Sequence, residues 1–168
     1  MPETRREFLR MATAMLGSVA FADLGSDDAR IDVMPNEPIG PVTGALYGHL
    51  IEHLGGVIYD GVWVDGGLRK SLVADLKALT PGIIRWPGGC FADSYDWRDG
   101  VGAARPRRGN FWGGYESNAF GTQEFMRFCR AVGAEPYLAV NARGRTAQDW
   151  AQWVDYCNAP PGHGSLGP

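Results

Sequence analysis

Residues 68–89 read LRKSLVADLKALTPGIIRWPGG, and this stretch decides the fold class. Its first half has leucine or valine at every third or fourth position, which predicts a helix from Leu68 to Leu79 with one apolar face. Thr80-Pro81-Gly82 ends that helix, and Ile83–Trp86 follows as a short, mostly apolar strand closed by Pro87-Gly88-Gly89. A helix that leads directly into a buried strand is typical of βαβ units, so we expect an α/β fold with a parallel sheet.

The same alternation continues on both sides of this stretch. Downstream, we predict a helix over Gln123–Ala131 capped by Thr122, a buried strand over Pro136–Val140, and a last helix opened by the capping-box spacing Thr146-Ala-Gln-Asp149. Upstream, residues 43–50 can form the strand before the first helix. About three βα units are too few for a closed eight-stranded barrel, which needs roughly 250 residues. A small open α/β sheet and an incomplete barrel are both compatible with this pattern.

The N-terminal residues predict export. Residues 4–10, TRREFLR, resemble a twin-arginine signal, and a weakly apolar run with an A-x-A-like cleavage site at Ala20-Phe21-Ala22 follows them. We therefore expect residues 1–22 to be a signal peptide and the protein to be periplasmic or extracellular. Residues 23–30 read as a polar linker, and residues 31–47, cut by prolines, predict an extended or edge segment.

Composition and charge exclude several kinds of partner. Hydrophobic residues make up 45% and charged residues 21% of the chain, as in an average globular protein. The formal charge is −3, of which residues 1–22 contribute +1, so the remainder carries −4 and gives no reason to expect nucleic acid or a membrane as partner. The cysteines Cys90, Cys129 and Cys157 have no short spacing, so they describe neither a disulfide framework nor a zinc ribbon. We expect no metal and no cofactor.

Residues 49–53, HLIEH, have the H-x-x-E-H spacing of one class of zinc metalloprotease. That chemistry requires the two histidines to lie one turn apart on a stable helix. Gly48 before the motif and Gly55-Gly56 after it leave room for about two helical turns. In the later helices only Glu124 and Asp149 could serve as a third ligand, and neither has a supporting pattern. A zinc protease stays a minor alternative beside a polar strand end that caps a turn.

Polar and aromatic residues follow each predicted strand, over Gly48–Gly56, Pro87–Trp97 and Asn141–Arg145. In parallel α/β folds the carboxyl ends of the strands meet at one edge, so we expect these segments to converge on one pocket. Aromatic faces with nearby carboxylates are suited to carbohydrate, although core packing explains any single aromatic residue equally well. The aromatic residues of the long loop are Trp86, Phe91, Tyr95, Trp97, Phe111 and Trp112.

Four longer motifs resemble one known family. They are YGHLIEHLGGVIYDGVWV from residue 47, RWPGGCFADSYDWRDGVG from residue 85, RPRRGNFWGGYESNAFGTQEFMRFCRAVGAEPYLAVN from residue 105 and WVDYCN from residue 153. In this order and spacing they resemble the α-L-arabinofuranosidases of glycoside hydrolase family 51, and the resemblance runs from about Ile31 to Cys157. It implies the N-terminal portion of a (β/α)8 TIM barrel over residues 31–158, an irregular tail over residues 159–168, and no cofactor.

The resemblance also implies the reaction and its partners. Members release terminal arabinofuranosyl residues from arabinan and arabinoxylan, so the expected partner is an arabinofuranosyl-containing oligo- or polysaccharide, with a homo-oligomer compatible with the full-length relatives. Their mechanism is retaining, with two glutamates about 5–5.5 Å apart as acid/base and nucleophile. These end strands four and seven of the barrel, beyond the three units found here, so we expect no catalytic residue and no hydrolysis by this chain alone. A noncatalytic carbohydrate-binding remnant is the alternative.

Four residues match positions that surround the sugar in the family. Glu52 matches the glutamate that hydrogen-bonds hydroxyls of the bound arabinose, and Cys90 lies where members place asparagine or cysteine beside the same sugar. Trp112 matches an aromatic wall, and Asn141 lies at the end of the third strand. Glu116 matches a motif glutamate for which we expect a structural role.

Overall fold

The computed structural model describes residues 31–160. The expected signal peptide (residues 1–22) and linker (residues 23–30) lie outside the described residues, as does all but the start of the tail (residues 159–168).

The chain divides into two compact units after Pro41. In the described part of the first unit, residues 31–41, no residue lies in a helix or strand, and the chain turns where the Glu37 N–H donates to the Met34 carbonyl (3.1 Å). The prediction of an extended or edge segment over residues 31–47 is wrong for its last four residues, which form a 3-10 helix, and no residue of the segment lies in a strand. The 3-10 helix Gly44–Tyr47 belongs to the second unit.

The second unit contains a three-stranded parallel sheet, two small antiparallel hairpins and four α-helices among the described residues. In chain order the elements are β1 (His49–Leu50), α1 (Gly55–Ile58), β2 (Trp63–Val64), β3 (Gly67–Leu68), α2 (Lys70–Leu79), β4 (Ile83–Trp86), β5 (Arg108–Gly109), β6 (Tyr115–Glu116), α3 (Thr122–Val132), β7 (Glu135–Leu138) and α4 (Ala147–Asn158). The parallel sheet has the order β1-β4-β7, with α2 connecting the first pair and α3 the second. The predicted α/β class with a parallel sheet is confirmed.

The first predicted helix begins later than the leucine pattern suggests. Leu68 is not helical but pairs with Trp63 in the β2–β3 hairpin, so α2 starts at Lys70. The strand predicted somewhere in residues 43–50 is confined to His49–Leu50. The strand Ile83–Trp86 has the predicted bounds.

The predicted N-cap of α3 is wrong. Gly121 occupies the cap position, and its N–H donates to the Glu124 carboxylate (2.9 Å). The Thr122 hydroxyl instead accepts from the Trp153 indole N–H (3.0 Å), so a tertiary contact uses the group that the sequence assigned to a local cap. By contrast, α4 begins as predicted, because the Thr146 hydroxyl accepts the Asp149 N–H and the Asp149 carboxylate accepts the Thr146 N–H.

The last strand is less buried than predicted. It covers Glu135–Leu138 rather than Pro136–Val140, and its first three residues are exposed. Within residues 31–160 it pairs only with β4, which leaves its other edge uncovered.

The core between sheet and helices is aromatic. Trp86 of β4 is fully buried, stacks on Phe125 of α3 with ring centroids 5.1 Å apart, and meets Trp153 of α4 edge-on at 6.2 Å. Four of the six aromatic residues of the long loop region belong to this core, namely Trp86, Phe91, Tyr95 and Trp97. The other two of the six, Phe111 and Trp112, stay 66% and 43% exposed, so their faces are free for a ligand. No helix in the described part of the chain is long and apolar enough to cross a membrane.

Candidate functional site

The carboxyl ends of β1 and β4 stay paired beyond the strands themselves. The Ile51 N–H donates to the Arg85 carbonyl (2.9 Å), and the His53 N–H donates to the Pro87 carbonyl (2.7 Å). Glu52 lies between these two bonded residues, so the position of its Cα at the carboxyl edge of the sheet is fixed by backbone hydrogen bonds. Side chains alternate along an extended chain, so Glu52 and His53 point to opposite sides.

Glu52 is half-buried and lies directly against the glycine loop. Its Oε1 accepts the Phe91 N–H (3.2 Å). Gly88 has φ +123°, and a Cβ placed there would lie 2.4 Å from the Glu52 Cγ, so only glycine allows this approach. Within the described residues no donor contacts Glu52 Oε2. That oxygen is therefore available to accept a hydroxyl of a ligand.

Trp112 lies at the tip of the β5–β6 hairpin, in the turn over residues 110–114. Its ring centroid is 6.1 Å from that of Phe91 and 4.4 Å from that of Phe111, with the latter pair edge-to-face. The exposed indole face thus lies beside the residue whose N–H binds Glu52. Glu52 and Trp112 thus share Phe91 as a neighbour, and a carboxylate and an aromatic face at one site suit a ring with hydroxyls and a C–H face.

Cys90 follows the glycine loop and carries an exposed thiol. It borders a shallow cavity of about 220 Å³ whose other lining residues are Asp93, Ser94, Phe111 and Arg143. Arg143 comes from the loop after β7, so the second and third strand ends share this cavity, as the convergence argument expected. Sequence reasoning named both loops but did not single out Asp93, Ser94 or Arg143.

Asn141 is buried and its side chain bonds to protein groups. Its Nδ2 donates to the Tyr95 carbonyl (3.1 Å), and its Oδ1 accepts the N–H groups of Arg143 (3.2 Å) and Gly144 (2.7 Å). These bonds connect the loop after β7 to the loop after β4. A direct contact of Asn141 with a sugar stays a prediction.

A buried polar network lies on the other side of Glu52. The His53 ring, with 0% of its surface exposed, accepts the Trp86 indole N–H at Nδ1 (3.2 Å), and its Nε2 lies 3.1 Å from Glu116 Oε2. Glu116 Oε1 accepts the Asn118 N–H (2.7 Å) and the Tyr59 hydroxyl. Burial opposes the charge on Glu116, but the hydrogen bonds from His53, Tyr59 and Asn118 outweigh it and lower the pKa of this carboxyl. Sequence reasoning expected a structural Glu116 and missed Tyr59.

The geometry required by the zinc-protease alternative is not present. His49 is an exposed residue of β1 and His53 lies in the extended segment after it, so the two are not one turn apart on a helix. Both ring nitrogens of His53 already have partners. Among residues 31–160 no group of three or more His, Cys, Asp and Glu side chains could hold a metal ion.

Residues 75–166, more than half of the chain, match the family described as the α-L-arabinofuranosidase 1 domain. A relative from Bacteroides ovatus, named an intracellular exo-α-L-arabinofuranosidase, is 44% identical over 123 residues, which are 66% of this chain and 24% of that protein. The α-L-arabinofuranosidase C of Emericella nidulans is 39% identical over 149 residues, covering 82% of this chain and 30% of the relative.

Solved structures of α-L-arabinofuranosidases are also similar to this chain. The GH51 arabinofuranosidase from Xanthomonas axonopodis pv. citri superposes with a TM-score of 0.72 and 44% identity, covering 79% of this chain and 29% of that one. The chain therefore spans between a quarter and a third of the proteins that it is similar to.

Proposed function

The chain belongs to the α-L-arabinofuranosidases of glycoside hydrolase family 51, and from this we propose that it supplies the sugar-binding wall of a retaining α-L-arabinofuranosidase. One observation carries the proposal: Glu52 presents an unoccupied carboxylate oxygen at the carboxyl edge of a parallel sheet, and Phe91, whose N–H holds its other oxygen, also lies next to the partly exposed Trp112 ring. In barrel enzymes that edge holds the active site. The carboxylate accepts sugar hydroxyls, and the indole covers a C–H face.

The proposed ligand is a terminal arabinofuranosyl group of an arabinan or arabinoxylan side chain. Support comes from the relatives, which are named as arabinofuranosidases. The complete (β/α)8 barrel, which contributes the remaining walls of the pocket, and any homo-oligomer are part of the same proposal. A noncatalytic carbohydrate-binding role is the second candidate, since every group described at the site binds rather than cleaves.

Glu52 and Glu116, the two glutamates described at the site, do not form a catalytic pair. A retaining glycosidase needs two carboxyl groups about 5–5.5 Å apart that face the glycosidic bond from either side. Glu116 does not fit such a role, because it is 5% exposed and accepts hydrogen bonds from three protein donors. Glu52 has one oxygen free for a ligand, and its other oxygen holds the Phe91 N–H. We therefore assign the acid/base and the nucleophile to glutamates outside this chain.

Export by the twin-arginine pathway is also a proposal, and it rests on residues 4–10 and 20–22. N-terminal sequencing of exported protein should begin at Asp23, and an intact Met1 in that fraction would count against cleavage. The Bacteroides ovatus relative is named as intracellular, so location is a point on which the two proteins are expected to differ.

Titration of the purified chain with methyl α-L-arabinofuranoside tests the proposed function. We expect saturable binding, measured by ligand-observed NMR, that is weaker for the pyranoside isomer. Trp112→Ala should weaken this binding by about two- to thirteen-fold, the range of one aromatic–ring contact. Tyr47→Ala is the matched control, because Tyr47 is also exposed but precedes β1 at the opposite edge of the sheet.

Two results would contradict the proposal. Equal binding of furanoside and pyranoside, or no binding of either, would contradict the proposed role of this chain as a sugar-binding wall. Release of 4-nitrophenol from 4-nitrophenyl α-L-arabinofuranoside by this chain would contradict the assignment of both catalytic glutamates to residues outside it.

A further inference from the structure

The hydrogen bonds around His53 fix the position of its proton. An indole N–H can only donate, so the Nδ1 that faces Trp86 must be an unprotonated acceptor. The one ring proton of neutral His53 then lies on Nε2, where it is donated to the Glu116 carboxylate. A doubly protonated ring would direct a second N–H at the Trp86 N–H. The contacts therefore select the neutral ring with the proton on Nε2.

This bond connects the two halves of the candidate pocket. His53 is the neighbour of Glu52 in sequence, and its ring is stacked on Phe91, the N–H donor to Glu52, with centroids 4.4 Å apart and planes 9° apart. Glu116 is the last residue of β6, so it anchors the hairpin whose turn carries Trp112. One contact between buried side chains thus links the carboxylate side of the pocket to its aromatic side.

Glu116 is held on both of its oxygens. Oε2 faces His53, and Oε1 accepts from Tyr59 and Asn118, with Tyr59 coming from the turn after α1. Because each oxygen already accepts from a buried or half-buried donor, the carboxylate cannot move without breaking one of these bonds, which is costly. The hairpin position is therefore determined by the same network that sets the His53 proton.

We propose that His53 is a positioning residue of the sugar site: held with its proton on Nε2 by Trp86 and Glu116, it sets the distance between the Glu52 carboxylate and the Trp112 ring. The role rests on the proposed function of this site as an arabinofuranosyl pocket. His53 does not itself touch the sugar.

Glu116→Gln is the sharpest test, because the side chain keeps its shape but loses one acceptor. The three donors around residue 116 then meet one carbonyl oxygen and one NH2 group, so one of the two sides is mismatched. Glu124→Gln is the matched control: Glu124 is similarly buried at 8% exposure, and its own bonds, from Arg105 and the Gly121 N–H, involve neither His53, Tyr59 nor Glu116, although Arg105 also donates to the Asn118 carbonyl.

Long-range ¹H–¹⁵N correlation spectra of the wild-type chain give the first readout, which needs no ligand. They should show His53 protonated on Nε2 only, with the Trp86 indole N–H shifted by its hydrogen bond. Glu116→Gln should change both signals, and Glu124→Gln should leave them in place although it lowers stability. A wild-type ring protonated on Nδ1, or on both nitrogens at neutral pH, would overturn the proposal.

Affinity for methyl α-L-arabinofuranoside gives the second readout. Glu116→Gln should weaken binding by about ten-fold and Glu124→Gln by less than about two-fold. Equal loss in both folded variants would overturn the positioning role, since it would reflect general destabilisation. Absence of binding by the wild-type chain would instead contradict the proposed function, and the positioning role with it, whereas the spectra would still report on the His53 proton.

Discussion

At the scale of single residues, the placement of Glu52 depends on Gly88. The glycine has φ +123°, and its missing side chain leaves the space that Glu52 occupies. The Glu52 carboxylate is therefore placed by a steric requirement as well as by its hydrogen bond to Phe91.

Gly88→Ala should destabilise the chain by about 2–4 kcal/mol, because the new methyl group adds a collision with Glu52 to the cost of a positive φ. Gly113→Ala is the control, since Gly113 has φ +97° and nothing within 4 Å of its Cβ position. Urea denaturation of both variants measures the difference. Equal losses in the two variants would show that the Glu52 contact is unimportant for stability.

The residues of the site were identified from sequence to different degrees. Glu52, Cys90 and Trp112 came from motif resemblance, and the structure places each of them at the carboxyl edge of the sheet or in the hairpin beside it. The bond between His53 and Glu116 joins residues 63 positions apart, and no local pattern reports a pairing of that range. The role of Tyr59 could not be predicted from sequence for the same reason, because its partner Glu116 lies 57 residues away.

At the scale of elements, α4 shows how far local sequence determines structure. Its start follows from the reciprocal bonds between Thr146 and Asp149, both within one turn. The Thr146 N–H and hydroxyl both donate to the Asp149 carboxylate and, together with Arg98, lower the pKa of Asp149 to about 2. The start of α3 could not be read in this way, because Thr122 is engaged by Trp153 of another helix.

Thr146→Ala should lower the free energy of unfolding by about 1 kcal/mol, the usual effect of losing a hydroxyl N-cap. Because the pKa of Asp149 is lowered in the folded state, its contribution is present above the unfolded pKa of about 3.9 and is lost as the pH falls toward 2. The variant should therefore lose less stability than the wild type between pH 5 and pH 3, as measured by denaturation.

Thr43→Ala is the control for that series, because Thr43 precedes a 3-10 helix without capping it. A pH dependence of Thr146→Ala that matches the wild type would show that the hydroxyl does not set the charge state of Asp149.

The turn between β2 and β3 has a recognisable sequence signal that the helix prediction over Leu68–Leu79 did not use. Asp65-Gly66 joins β2 to β3, and both residues have positive φ, at 51° and 77°. Asp-Gly between two short apolar segments is the usual signal of a two-residue hairpin. The leucine repeat that extended the predicted helix to Leu68 concealed this signal.

At the scale of the whole molecule, the second unit is built on a parallel sheet of three strands. Leu50 on β1 and Tyr137 on β7 are 55% and 50% exposed, and within residues 31–160 each of these strands has one unpaired edge. The alternation of helices and strands predicted this sheet, but the exposure of β7 did not follow from its apolar sequence. Burial depends on what covers a strand, and the strand's own residues do not report that.

The proposed sugar-binding wall depends on Glu52 as a binding carboxylate at the strand edge. Glu52→Gln keeps the shape of the side chain but removes its charge, and Glu135→Gln makes the same change at an exposed position at the start of β7, on the opposite edge of the sheet. The most direct measurement is the affinity of the wild type and of both variants for methyl α-L-arabinofuranoside. We expect Glu52→Gln to weaken binding by about ten-fold or more, the size of a charge-assisted hydrogen bond, and Glu135→Gln to bind like the wild type. Undiminished binding by Glu52→Gln would contradict the central claim.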